Sequence, residues 1–264
     1  MPELPEVETL VRRLTPIAGT TIVGAEILDD RLTVRAADLA GASIREVKRR
    51  GKYIVIGLED RGDLIVHLRM SGRLRLDRSE DEIPYTRMVL RLDSGDSVYF
   101  VNPRRLGTVV LCPDGFDKPL GIEPTAPEFT IEALGALAAT SRAPVKQLLL
   151  DQRRVAGIGN IYAAEALWRS RIDPRRSANA LARKEISALH HGITSVLFDA
   201  IDQLGTTIGS SVSDYRQSPG GGGLFQSRLA VYGREGELCE RCGTSIERVV
   251  QAGRSTCYCP ACQT

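Results

Sequence analysis

Val7, Leu10, Val11 and Leu14 recur at steps of three and four, with Arg12 and Arg13 on another face, so Glu6 to Leu14 reads as an amphipathic helix ended by Gly19. From Thr20 to about Leu111 the period changes. Short apolar or alternating runs follow one another: Ile22-Val23, Tyr53-Ile54-Val55-Ile56, Leu64-Ile65-Val66-His67-Leu68, Met88-Val89-Leu90, Val98-Tyr99-Phe100 and Thr108-Val109-Val110-Leu111. Turn clusters such as Asp60-Arg61-Gly62-Asp63 and Asp93-Ser94-Gly95-Asp96 separate them, a pattern that predicts an antiparallel sandwich or barrel. Four prolines between residues 113 and 130 mark a linker, after which helical periodicity predicts helices at Ile131 to Ala139, Pro144 to Gln152, Ile161 to Arg169 and Arg183 to Leu204. The tract Ser218 to Gly223 is too glycine-rich to order itself cheaply and reads as a flexible loop or a lid. The expectation is a multi-domain α+β chain: an antiparallel β-sandwich or barrel over 1–112, a linker over 113–130, a helical domain with the glycine loop over 131–224 and a terminal module over 225–264.

At 264 residues and 42% hydrophobic, the chain is long enough for two cores. No apolar run approaches the ~20 residues of a membrane span, and the start lacks the basic and apolar regions of a signal peptide, so a cytoplasmic protein is expected. Net charge is only +2, but of the 35 basic residues five are Lys and 30 are Arg, the side chain that grips phosphate with a bidentate fork. Five of the six cysteines fall between Cys239 and Cys262, and such clustering in a cytosolic chain favours metal over disulfides. Cys112 stands alone among apolar neighbours and reads as a buried small hydrophobe.

The strongest local signal is the pair of chelating intervals Cys239-x2-Cys242 and Cys259-x2-Cys262, with a spacing that fits a two-stranded ribbon. Four sulfur ligands leave no open position, so one structural zinc is expected, with Cys257 outside the ligand set. Gln251-Ala252-Gly253-Arg254 reads as the turn of that ribbon, with Arg254 at an exposed tip. Gly157-Ile158-Gly159-Asn160 before a helix leaves backbone N–H groups open to an anion and suggests a phosphate seat or, more plainly, a helix-turn-helix connection. Three loops, Arg49-Arg50-Gly51-Lys52, His67 to Gly72 and Asn102 to Gly107, combine cations with strand ends. In the last two, Met70 and Leu106 are apolar residues beside turn glycines, as needed to fill the hole left by an extruded base. Read alone, Pro2-Glu3-Leu4-Pro5-Glu6 is a stiff acidic leader. Without Met1, Pro2 would carry a secondary amine able to attack an aldehyde-like carbon and form a cationic iminium.

Together these motifs resemble the formamidopyrimidine-DNA glycosylase family over essentially the whole chain: Pro2 to Glu6, Arg50-Gly51-Lys52-Tyr53, Met70-Ser71-Gly72, Asn102-Pro103-Arg104-Arg105, Gly157 to Ala163 and Cys259-Pro260-Ala261-Cys262-Gln263. The resemblance implies an N-terminal β-sandwich, a helix-two-turns-helix domain and a C-terminal zinc finger. It also implies a monomer acting on double-stranded DNA that contains oxidised bases or abasic sites, as a glycosylase and abasic-site lyase in base excision repair. Carried over, Pro2 is the nucleophile, Glu3 the general acid/base, Lys52 the proton-transfer lysine of β-elimination and Arg254 the arginine of δ-elimination and phosphate binding. Lys146 and Asn160 fall where the family contacts phosphates, and Met70, Arg104 and Leu106 match the residues that fill the stack.

Three positions depart from the family pattern. Leu106 stands where Phe is usual, Tyr85 where a phosphate-contacting His is common, and Arg69 where Gly is common in the loop after His67. A phenol donates a hydrogen bond but carries no positive charge. Leu4 and the long glycine loop favour oxidised purines (8-oxoguanine, formamidopyrimidines) over the oxidised pyrimidines of the related endonuclease VIII. The remaining alternative is a zinc-ribbon protein that binds DNA without catalysis. Base contacts within the glycine loop fall on Tyr215, Arg216 or Ser218 without a choice among them.

Overall fold

The computed structural model describes residues 1–78, 83–206 and 223–264. The glycine tract up to residue 222, and with it Tyr215, Arg216 and Ser218, lies outside the described residues. The chain divides into two compact units, residues 1–118 with the described part of Leu204–Gly223, and residues 119–203 with 224–264.

The first unit begins with helix α1 (Leu4–Leu14) and continues through strand β1 (Ile22–Ile27), the single-turn helix α2 (Ala36–Leu39) and strands β2 (Ile44–Arg50), β3 (Tyr53–Leu58), β4 (Gly62–His67), β5 (Arg73–Asp77), β6 (Thr86–Leu92), β7 (Ser97–Val101) and β8 (Thr108–Cys112). They form two four-stranded antiparallel sheets, ordered β1-β6-β7-β5 and β2-β3-β4-β8. Alternation decides which side chains enter the core: Ile54, Ile56 and Leu58 of β3, Leu64 and Val66 of β4, and Met88, Leu90 and Leu92 of β6 join Val7, Leu10, Val11 and Leu14 of α1 in one buried cluster. Val89, Tyr99 and Val101, on the other face of β6 and β7, form a separate small cluster. β2 and β5, with sequences IREVKRR and RLRLD, were not among the predicted strands. Their long charged side chains interrupt the apolar signal although Ile44 and Leu74 are buried in the core.

Strand register gathers the loops. Arg50 pairs with Tyr53, Tyr53 with His67, and His67 with Thr108, so the β2–β3 hairpin tip, the end of β4 and the start of β8 line one edge of their sheet. In the other sheet Arg73 and Thr86 both pair with Val101, which aligns the start of β5, the start of β6 and the end of β7. Loops 68–72 and 102–107 therefore cross between the sheets at the same end of the sandwich.

The second unit holds helices α3 (Ile131–Ala139), α4 (Val145–Leu150), α5 (Asn160–Ser170) and α6 (Arg183–Asp202), then the hairpin β9 (Glu247–Gln251) and β10 (Arg254–Tyr258). All four predicted helices are present, within two residues of the expected ends. Glu165 of α5 is buried, and its carboxyl oxygens accept the backbone N–H groups of Ala230, Val231 and Tyr232 at 2.8, 3.0 and 2.8 Å. Burial drives its pKa up, and the three N–H groups oppose that rise. No helix among the described residues is long and apolar enough to cross a membrane.

His67, at the sheet edge just described, lies edge-on to Tyr53 with ring centroids 4.6 Å apart and accepts the Arg69 N–H on Nδ1 at 3.2 Å. Burial first, then the charges of Arg69 and Lys52, hold its pKa down at about 4. The unfolded chain takes up a proton below its ordinary value of about 6.5 while the folded chain stays neutral until about 4. His67 thus contributes stability that is complete above pH ~6.5 and falls as pH drops toward ~4, by about 3 kcal/mol. We expect the fall in unfolding free energy from urea titrations between pH 7 and pH 4.5 to be smaller in His67→Gln than in the parent by an amount of that order; equal falls would remove His67 from the account.

Candidate active site and metal centre

Glu3 immediately precedes α1, and Pro5 sits in the first turn, where a missing N–H breaks no helical bond. Glu6, fully buried, accepts the Glu3 N–H on Oε2 at 2.8 Å and the Thr206 N–H on Oε1 at 2.8 Å. Gly205 lies at φ +75°, and a Cβ there would meet Glu6 Oε1 at 2.7 Å, so the segment reaching this carboxyl has to be glycine at that point. The backbone of Pro2 and Glu3 is thereby pinned, and both residues are buried.

Lys52 belongs to the two-residue turn Gly51-Lys52 between β2 and β3. Gly51 has φ +58° and Lys52 does not, the sign pattern of a type II′ hairpin. A lysine at such a tip is ordinarily solvated; Lys52 is only 6% exposed. The chain-terminal ammonium is held below its ordinary pKa by burial above all. Glu3 and Glu6 oppose that shift, and Lys52 and Arg104 add to it. Glu3, Lys52 and Arg104 are therefore gathered electrostatically around the amino end of the chain.

The two crossing loops present a different surface. In loop 68–72 the Gly72 N–H returns to Leu68 O at 2.9 Å, and a Cβ on Gly72 would lie 2.5 Å from that oxygen. This tight turn buries Leu68 and Ser71 and turns Arg69 and Met70 outward, Met70 to 43% exposure. In loop 102–107 the two arginines part company. Arg105 is bound by Asp29, through Nε to Oδ2 at 2.9 Å and a second bond, and also by Asp30; its pKa is raised and that of Asp29 lowered to about 2. Arg104 is exposed, as is Leu106 at 48%. Tyr85, just before β6, is exposed at φ +66° with its carbonyl accepting the Asn102 N–H.

In the second unit Lys146 is placed inside. Its ammonium, 1% exposed, donates to Ser255 O at 3.0 Å and to Thr256 Oγ1 at 2.6 Å. Asn160, the first residue of α5, donates from Nδ2 to the same Ser255 carbonyl at 3.0 Å, and its Oδ1 is buried without a hydrogen-bond partner. Arg254 is exposed and closes the expected turn Gln251 to Arg254, whose two central residues are Ala252 and Gly253 at φ +46° and +72°.

Cys239, Cys242, Cys259 and Cys262 bring their Sγ atoms within 4.8 Å of one another. Zn–S bonds of about 2.3 Å at tetrahedral angles place sulfurs ~3.8 Å apart, against 3.5 Å for Cys242–Cys259 and 4.0 Å for Cys239–Cys262 here. The donor set fits one closed, structural zinc. Trp168 Nε1 lies 3.5 Å from Cys239 Sγ, and Gln263 accepts the Cys259 N–H while donating to Ile172 O, supports that hold the thiolate knuckles in place. Cys257 is buried in the apolar cluster beside the site and is not part of the set. Sequence reasoning missed the two glutamates, Glu6 and Glu165, that fix the backbone around these sites, because nothing in composition separates them from surface glutamates of a helix.

Residues 1–109 match the formamidopyrimidine-DNA glycosylase N-terminal domain, residues 120–212 the formamidopyrimidine-DNA glycosylase H2TH domain, and residues 236–264 the zinc finger found in FPG and IleRS. A formamidopyrimidine-DNA glycosylase of Paracoccus denitrificans is 44% identical with full coverage of both chains, and one of Thermus thermophilus is 43% identical over all of this chain and 98% of its own. The crystal structure of the MutM (FPG) protein of Thermus thermophilus superposes with a TM-score of 0.88 at 42% identity, covering 99% of this chain and 98% of that one. The complex between Lactococcus lactis Fpg and an abasic-site-containing DNA gives 0.88 at 34% identity, with 99% coverage of each. Matched from end to end in sequence and fold, the chain belongs to the formamidopyrimidine-DNA glycosylase family.

Proposed function

We propose that this chain is a DNA glycosylase of base excision repair that removes oxidised purines and then cleaves the resulting abasic site with the same amine. The observation that carries the reading is the gathering of Glu3, Lys52 and Arg104 around an amino end at which Pro2 and Glu3 are buried. The Pro2 nitrogen is a planar amide while Met1 is attached, so removal of Met1 creates the nucleophile. The Met1 ammonium, one residue away, is held below its ordinary pKa by burial against the pull of Glu3 and Glu6, and the neutral form of an amine is the one that attacks.

In this reading the Pro2 nitrogen bonds C1′ as the glycosidic bond breaks, and the departing base takes a proton. Opening of the sugar gives the iminium, with Glu3 handling the protons. The iminium acidifies the C2′ hydrogen; a base removes it, electrons flow toward the cation and the 3′ C–O bond breaks, with Lys52 moving the proton. A second elimination breaks the 5′ C–O bond, with Arg254 on the phosphate. Met70, Arg104 and Leu106 fill the stack after extrusion. Tyr85 donates to a phosphate, and Asn160 does so through its second amide N–H. Lys146, tied to Ser255 and Thr256, holds the ribbon that carries Arg254. Zinc, held by Cys239, Cys242, Cys259 and Cys262, keeps the ribbon folded and takes no chemical part.

Borohydride reduction in the presence of abasic-site duplex should give a covalent complex with the trimmed chain. An added N-terminal residue that resists trimming should abolish it, whereas Pro2→Gly, a primary amine, keeps part of it. A complex that forms equally with the extended chain sinks the assignment of Pro2. Chelation of the zinc should open residues 236–264 to protease, leave residues 1–118 resistant and weaken binding to the same duplex; unchanged affinity after confirmed metal loss would take the ribbon out of the DNA surface.

A further inference from the structure

Arg69 and Arg104 stand apart from most arginines of the first unit. Arg35, Arg49, Arg75, Arg78, Arg91 and Arg105 are all held by carboxylates, whereas neither the Arg69 nor the Arg104 guanidinium has a hydrogen bond or ion pair among the described residues. The two flank exposed apolar side chains, Arg69 beside Met70 and Arg104 two residues before Leu106, on loops that strand register brings to one end of the sandwich. Arg69 also occupies a left-handed backbone position, φ +53°, set by the Leu68–Gly72 turn. Glycine adopts that conformation freely, while a side chain there costs on the order of 1 kcal/mol. The cost is borne by a residue whose side chain contributes no intramolecular pairing in return, which points to a partner outside the chain.

We propose that Arg69 is a further DNA-contacting residue, which binds a backbone phosphate beside the site that Met70 fills. The inference rests on the DNA-glycosylase reading above. The chemistry fits a phosphate because the guanidinium is exposed, permanently charged and forked, and because most protein–DNA hydrogen bonds go to phosphate and sugar. It also sets a second cation beside Arg104 on this face, where Tyr85, exposed at the same end, is a neutral donor. Leu106 lacks the ring with which a wedge stacks on a base, and base–aromatic stacking is worth about 1–3 kcal/mol, so a phosphate contact offsets part of that loss.

The test is the salt dependence of binding to an abasic-site duplex for the parent chain, Arg69→Gly and Arg69→Lys, measured between 50 and 200 mM salt with C, T, G or A opposite the site. Glycine relieves the left-handed strain, so this variant keeps its fold, and its thermal midpoint is checked alongside. One phosphate contact contributes about 0.9 to the slope of log affinity against log salt, so the affinity lost over that range should be about 3-fold smaller in Arg69→Gly than in the parent. Arg69→Lys should keep the parental slope, and the weakening in Arg69→Gly should be uniform over the four opposite bases. An unchanged slope in Arg69→Gly, or weakening confined to one opposite base, overturns the phosphate assignment. A parent chain that neither binds this duplex nor is trapped on it overturns the glycosylase reading itself, a result separable from the other two.

Discussion

A buried carboxyl group must have its oxygens satisfied, and Glu6 meets that requirement with two backbone N–H groups drawn from segments far apart in the chain. Its bond to the Glu3 N–H sets where the peptide of residues 2 and 3 lies. Its bond to Thr206, 200 residues away, brings the later segment back onto the first unit. The close approach of Gly205 leaves no room for the carboxyl to swing aside. A nucleophile at the end of a chain has no flanking backbone on one side, so its position depends on how firmly the residues after it are held. Glu6 supplies that firmness, and the chemistry proposed for Pro2 and Glu3 depends on it.

The same device recurs in the second unit, where Glu165 takes three consecutive backbone N–H groups of residues 230–232. Removing either carboxyl would strand buried N–H groups, each costing about 1–3 kcal/mol. Most of the arginine–carboxylate pairs on the surface of the first unit are worth far less, ~0.2–1 kcal/mol apiece. Their main consequence is electrostatic sorting: they neutralise Arg105 and arginines elsewhere in the unit and leave Arg69 and Arg104, unpaired among the described residues, beside Met70 and Leu106.

Legibility tracked the range of the interaction. The zinc set could be read because chelation by Cys-x2-Cys is a local spacing rule, and α1, α3, α5 and α6 because apolar periodicity is local too. The strands with apolar runs were equally visible. β2 and β5 were not, because their buried residues sit between arginines and lysines whose stems cover apolar surface. The left-handed positions of Arg69, Tyr85 and Ala252 left no trace either, since turn chemistry favours Gly or Asn there and these residues adopt φ > 0 only because neighbouring hydrogen bonds impose it. Nor does the motif Asn102-Pro103-Arg104-Arg105 say which arginine is free; Asp29, more than seventy residues earlier, decides it.

Lys146, a cation that the resemblance places on a phosphate, is tied into the ribbon by hydrogen bonds of its own. An ammonium 1% exposed is tolerable only when its donors are satisfied, and here a carbonyl and a hydroxyl of β10 do so. Asn160 reaches the same Ser255 carbonyl from the start of α5, so two helices converge on the residue next to Arg254. Zinc and these three hydrogen bonds therefore restrain one ribbon from two sides. Loss of the metal would loosen the strand that satisfies Lys146 and expose the ammonium's desolvation cost, while loss of Lys146 would release the strand that carries Arg254. The ribbon's exposed arginine is thus positioned by two residues on other elements, and its geometry is a property of the whole second unit.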